Sequence, residues 1–393
     1  MRNLLITVLL SLIIYGCAES SNPVNPQQSA APIWPMPGYN SRNTSNPYAL
    51  NAVMNPVLNG SGDWSFSFPI GNYSDGSEFC VDSRGFIYYL HQIGPLGTLY
   101  KFSPDGNVVW SKDSLMQNNY AGISLNSDET KIYVVAYQPR LSDKLYCLDS
   151  SGNHLWSIDS ARVSKPAVGK DGTVYIFGNG GLTAVSPDGI VKWSNTAVTG
   201  SYNQNIISLD RDDNIYTVSG SANVVKVGKT GNVIWQYGVS NDNKGIVIDG
   251  FGNIYFNVYT ENKLYCLNQS GQLKWTKQNM NNYTTPVITS KNRIVVSSGA
   301  YIISYDTSGT ELWRTQALSD LSSPETVLLD DADNVYYLGN PFGIKAASVS
   351  PAGVKRWETN SFNLVSILPP PALLPQGKLI IVPKRASMIQ AIN

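Results

Sequence analysis

KLYCLDSSGNHLW (residues 144–156) and KLYCLNQSGQLKW (residues 263–275) open on the same five residues and place a glycine four positions before a closing tryptophan. Each reads as a short apolar strand, a tight turn and a second strand that carries the indole. The glycine has a physical cause, because a tight turn between antiparallel strands needs a residue that accepts positive φ. Working outward, tryptophans stand at Trp64, Trp110, Trp156, Trp193, Trp235, Trp275, Trp313 and Trp357, and each is preceded four residues earlier by a glycine: Gly60, Gly106, Gly152, Gly189, Gly231, Gly271, Gly309 and Gly353. A quasi-period in the low forties indicates a four-stranded propeller blade.

Before each turn lie two strand-like runs. The earlier, read as the inner strand, covers 85–89, 131–135, 173–177, 214–218, 253–257, 293–296, 334–338 and 378–382, and the later covers 98–102, 144–148, 182–185, 224–227, 263–267, 302–305, 344–349 and 388–392. These are short β-branched and aromatic segments between turn signals, with no competing helical period, so the chain is all-β. The Trp64 segment has no blade before it, while the C-terminus supplies three strands and stops at Asn393. The expected fold is a single eight-bladed β-propeller of four-stranded antiparallel blades, closed by pairing the Trp64 strand with the C-terminal three strands, which removes an exposed sheet edge. A fully buried tryptophan wedged between neighbouring blades is the expected docking element.

Arg2 and an apolar run of about a dozen residues make residues 1–16 an export signal, too short for the roughly 20 apolar residues of a span. The run ends at Ile14-Tyr15-Gly16-Cys17, which resembles a bacterial lipobox and makes Cys17 the lipidation site. Residues 17–33 then form a lipidated tether without periodic apolar positions, Ala18 favours the outer membrane by resemblance to enterobacterial sorting, and residues 34–393 form the propeller. Lys plus Arg and Asp plus Glu both number 28, so no basic field exists to attract nucleic acid. Charged residues are only 14%, leaving Asn, Ser, Gly, Thr and Tyr to carry the surface chemistry of adaptable binding loops.

The pattern Cys147-Leu148-Asp149-Ser150-Ser151-Gly152 to Trp156, with Cys266-Leu267-Asn268 to Gly271 and Trp275, resembles the repeat of PQQ-type quinoproteins. The resemblance spans nearly all of 34–393, with a turn one residue shorter than the fullest motif and with Lys101 and Lys226 replacing its small first residue. Repeat type, blade number, anchor and length are similar to the propeller lipoproteins of the outer-membrane β-barrel assembly machinery. The resemblance implies an envelope scaffold binding a protein partner.

Chemistry has little footing. His91 and His154 are the only histidines and lack ligand spacing, so no metal is expected. Asp210-Arg211-Asp212-Asp213-Asn214 and Asp330-Asp331-Ala332-Asp333-Asn334 resemble pieces of calcium loops, yet their sisters at 82–85 and 249–252 place them as hairpin turns with Asx chemistry. Cys80, Cys147 and Cys266 read as small buried hydrophobes, and the adjacent cysteine pair of quinoprotein alcohol dehydrogenases is missing, so no cofactor and no enzymatic activity is expected. Loops entering the innermost strands bring Tyr73, Glu78, Tyr120, Lys165, Tyr202, Lys244, Tyr283 and Glu325 to one rim as a candidate binding mouth. The expected partner is an envelope protein, with the membrane engaged through the lipid anchor. The alternative is a propeller binding polysaccharide or a small ligand, or a reduced quinoprotein dehydrogenase.

Overall fold

The computed structural model describes residues 52–68, 79–93, 96–116, 121–136, 144–159, 165–178, 180–200, 207–220, 223–240, 245–278, 284–316, 318, 324–339, 345–359, 371–382 and 388–393. Every element among them is a strand, arranged as eight four-stranded antiparallel sheets. Seven blades run in chain order within residues 79–116, 121–159, 167–195, 207–238, 247–278, 287–316 and 324–358 (blades 1 to 7). The eighth joins both ends of the chain: Gly62–Ser67 is its outermost strand, paired antiparallel with Met388–Ile392, which pairs in turn with Lys378–Ile381 and then Ala372–Leu374. The ring is therefore closed as the end sequences require.

The innermost strand of each blade lies ahead of the two runs read from the sequence. The runs at 85–89, 131–135 and their sisters are second in each blade, and the innermost strands are short pieces such as Phe79–Val81, Ala167–Val168, Val247–Ile248 and Val287–Ile288. All of these residues are buried, so no alternation marks them in sequence. The outermost strands alternate clearly, as in His154–Asp159 and Val233–Gly238, because one face lies on the blade and the other meets solvent.

Docking runs once around the ring. In seven of the eight blades the tryptophan on the outermost strand packs on the turn glycine of the next: Trp64 on Gly106, Trp156 on Gly189, Trp193 on Gly231, Trp235 on Gly271, Trp275 on Gly309, Trp313 on Gly353 and Trp357 on Gly60. Six of these indoles also donate Nε1–H to the carbonyl two residues before that glycine, at 2.9 Å from Trp64 to Pro104 and 3.1 Å from Trp313 to Pro351, for example. All eight tryptophans are half-buried, not fully buried, because each sits where a seam opens to solvent.

At the last seam residues 52–61 thread between blades 7 and 8. Val57 is fully buried, its N–H donates to the Tyr336 hydroxyl at 3.0 Å, and its carbonyl accepts from Trp357 Nε1 at 3.2 Å. Asn393 exchanges backbone hydrogen bonds with Ser61, at 2.7 and 3.1 Å, in place of the covalent turn that the other blades have.

A second set of ties joins the turns between first and second strands. Glu129, Asp213, Asn292 and Asp333 hold φ of 57–60° there, an uncommon conformation for residues with a side chain. Each accepts a backbone N–H from the preceding blade's turn: Ser83 to Glu129 at 2.8 Å, Lys170 to Asp213 at 3.0 Å, Gly250 to Asn292 at 2.8 Å and Ser290 to Asp333 at 2.6 Å. The local strain is offset by bonds that link blades.

Candidate functional site

The rim carrying these turns is built from one repeated module. In blades 1, 4, 5 and 7 an aspartate opens the turn and accepts backbone N–H groups two and four residues on, as Asp249 does from Phe251 at 2.9 Å and Asn253 at 2.8 Å. The same geometry recurs at Asp82, Asp210 and Asp330. The other carboxylate oxygen takes a tyrosine hydroxyl from the second strand: Tyr88 and Tyr216 donate at 3.3 and 3.2 Å, Tyr255 and Tyr336 at 2.7 Å. Each ring then lies 5.8–6.2 Å from the tryptophan of its own blade. Burial, reinforced by the neighbouring aspartate charge, drives these four phenols far above their usual range, so they stay protonated donors. The segments resembling calcium loops thus use their first aspartates as turn acceptors, and no cluster of three or more His, Cys, Asp or Glu that could hold a metal occurs among the described residues.

The third strand places one residue between tyrosine and tryptophan, such as Cys147 opposite Tyr133 and Trp156, or Cys266 opposite Tyr255 and Trp275. Burial pushes these thiols up to about 11 and about 12, so neither is a nucleophile at neutral pH. Where lysine stands instead, the ammonium finds local partners. Lys226 Nζ lies 3.2 Å from Asp210 Oδ2 and 4.9 Å above the Tyr216 ring, and Trp235 keeps the docking geometry of its sisters. Lys101 Nζ sits 4.8 Å from both the Phe86 and Tyr88 rings, and desolvation lowers its pKa. In that blade Trp110 meets Gly152 only through its far edge, with Lys112 closer to the glycine.

Of the eight residues expected at the opposite rim, Tyr73, Glu78, Tyr120, Tyr202, Lys244 and Tyr283 lie outside the described residues. Lys165 is described and half-buried just ahead of an innermost strand. Glu325 falls within the innermost strand Pro324–Leu329 and not in the loop before it. Cys17 and residues 1–51 are likewise outside the described set.

His91, which carried no sequence signal, is 4% exposed and stacks on Phe68 with ring centroids 4.0 Å apart. Both its ring nitrogens are buried without a partner among the described residues. Desolvation holds its pKa at about 4, against about 6.5 for an unfolded chain. Between those two values the unfolded chain binds the proton and the folded one does not, so stability falls as pH drops through that window. A loss of up to about 3 kcal/mol is expected, complete near pH 4. Denaturant melts of His91→Phe should stay flat from about pH 6.5 to 4.5, whereas the wild type declines there; parallel curves would refute the assignment.

Two seams on the turn rim are hollow. Between blades 3 and 4 a cavity of about 710 Å³ is lined by Tyr175, Trp193, Lys170, Lys192 and Lys229 together with Asp171, Asp213 and Thr230. One seam further, between blades 4 and 5, the equivalent space is about 200 Å³, and Asp210 and Tyr216 there are bonded to each other. The larger cavity went unread in the sequence, although its signal is present: Gly169 stands where four sister blades carry the turn aspartate.

The profile of the family described as outer membrane protein assembly factor BamB matches residues 96–253 and 243–363, more than half of the chain. Among solved structures, BamB from Moraxella catarrhalis superposes with a TM-score of 0.59 at 13% identity, covering 85% of this chain and 97% of that one. Virginiamycin B lyase from Staphylococcus aureus is similar at a TM-score of 0.51 and 11% identity, covering 84% of this chain and 98% of that one. At such identities the likeness is one of fold. No curated protein matches the sequence. Eight closed blades, the glycine–tryptophan seam and a profile running through six consecutive repeats lead to one conclusion: the chain belongs to the BamB family of PQQ-like β-propellers.

Proposed function

We propose that this protein is a non-enzymatic, lipid-anchored scaffold of the bacterial outer membrane that binds a protein partner in outer-membrane protein assembly. The family match over residues 96–363 carries the reading. In it, residues 1–16 direct export, Cys17 holds the anchor and residues 17–33 tether the propeller to the membrane. The outer belt supports it. Adjacent aliphatic pairs Val108 and Val109, Ile190 and Val191, and Val233 and Ile234 are all 41–68% exposed on or beside edge strands. Edge strands with apolar side chains suit recognition of an extended partner segment. No quinone cofactor enters this reading, because the described cysteines, Cys80, Cys147 and Cys266, are buried singly in three different blades and form no adjacent pair. The fold is shared with lyases, so the scaffold reading rests on the family and not on the fold.

The test is cross-linking of the anchored protein in its native membrane, followed by purification. Recovery of an outer-membrane assembly protein, lost on Cys17→Ala release from the membrane or reduced by Val233→Glu with Ile234→Glu, is the expected result. Recovery of no envelope protein after cross-linking would count against the scaffold.

A further inference from the structure

We infer that the seam between blades 3 and 4 binds a carboxylate-bearing sugar. The site follows from an interruption of the module described above. Tyr175 is the blade 3 counterpart of Tyr88, Tyr216, Tyr255 and Tyr336, and its ring lies 6.1 Å from Trp193 as theirs lie from their own tryptophans. Its residue is 2% exposed, yet Gly169 provides no carboxylate and no described residue accepts from its hydroxyl, which faces the cavity. Burial, with the nearby carboxylates of Asp213 and Asp171, holds the phenol far above its normal pKa, so it stays a protonated donor open to the cavity. In four sister blades the acceptor is a carboxylate.

The surrounding charges favour the same group. Lys192 is engaged by Asp171 at 3.1 Å and by Thr173 at 2.8 Å, and Asp213 receives the backbone N–H of Lys170. The ammonium groups of Lys170 and Lys229 have no partner among the described residues and border the same space. A ligand carboxylate set among Tyr175, Lys170 and Lys229 would complete the donors that the protein leaves open, and charge-assisted bonds of this kind are the strong ones. The remaining lining is suited to a sugar and not to a bare acid. Trp193 provides an apolar wall for a ring's C–H edge, while Asp171, Asp213 and Thr230 are acceptors for hydroxyls. The volume, about 710 Å³, is in the usual range for small-ligand sites. The inference does not rest on the scaffold reading, since it concerns the turn rim and needs no protein partner.

Calorimetric titration of the full-length protein in detergent tests it with three probes: a trigalacturonate, a neutral galactose trisaccharide and an acetylated tripeptide with a free C-terminal carboxylate. The trigalacturonate should bind at least about tenfold more tightly than either other probe, as the loss of a charge-assisted hydrogen bond implies. Tyr175→Phe and Lys229→Gln should each weaken it by about tenfold, while their melting temperatures stay near that of the wild type. Gly169→Asp, which places a carboxylate against Tyr175 and crowds the Asp213 carboxylate beside it, should abolish binding. Equal binding of the neutral sugar, tighter binding of the peptide, no binding of the acidic sugar at all, or unchanged affinity in Tyr175→Phe and Lys229→Gln would each overturn the site.

Discussion

Removing residues 386–393 should unfold the ring as a whole, with a loss of more than about 5 kcal/mol. Met388–Ile392 pairs on both sides, with Gly62–Ser67 and with Lys378–Ile381, so its deletion severs the blade that joins the two chain ends. Ile389, Ala391 and Ile392 leave a fully buried environment, and Asn393 no longer bonds Ser61. Each buried isoleucine contributes roughly 2–5 kcal/mol, and domains are stable by only about 5–15 kcal/mol. Cutting the chain after residue 64 should act in the same way, because it takes the residue 52–61 strip from the seam of blades 7 and 8 and Trp64 from Gly106. Thermal melts followed by circular dichroism check both variants. A truncated protein that melts as cooperatively as the full chain, and at the same temperature, would show that closure does not hold the ring.

The turn glycines should tolerate no side chain, and the reason is double. At Gly271 φ is +78° and an added β-carbon would stand 2.6 Å from Trp235 Cδ2; at Gly106 φ is +80° and the distance to the Trp64 indole is 2.5 Å. Gly271→Ala therefore carries a backbone penalty of about 1 kcal/mol together with an overpacking penalty of about 1–3 kcal/mol, because the indole must leave its seat. Gly299→Ala separates the two effects: its φ is +55°, yet nothing lies within 4 Å, so only the backbone penalty remains. Urea melts should place Gly271→Ala about 1–3 kcal/mol below Gly299→Ala. Equal losses at the two positions would mean that the glycine serves the turn alone.

The all-β class and the eight repeats are legible in the sequence because the cause of each lies within about 13 residues, and the closure is legible because one strand at one end faces three at the other. The glycine of a turn and the indole of the following strand recur at one offset, and the orphan Trp64 strand matches the three strands at 371–392. The Asx turns were legible for the same reason, since Asp249 and Asn253 are four residues apart. Tertiary structure alone decided what happens between blades. That Trp235 lies over Gly271, that Asp333 caps Ser290 and that His91 lies against Phe68 are relations across a seam or between strands. The residues that meet at a seam are about 40 positions apart, and one repeat's local pattern says nothing of what its neighbour presents. A blade folds on its own hydrogen-bonded register, whereas a seam is set by how two finished blades pack, and there a single missing side chain leaves either a void or a site.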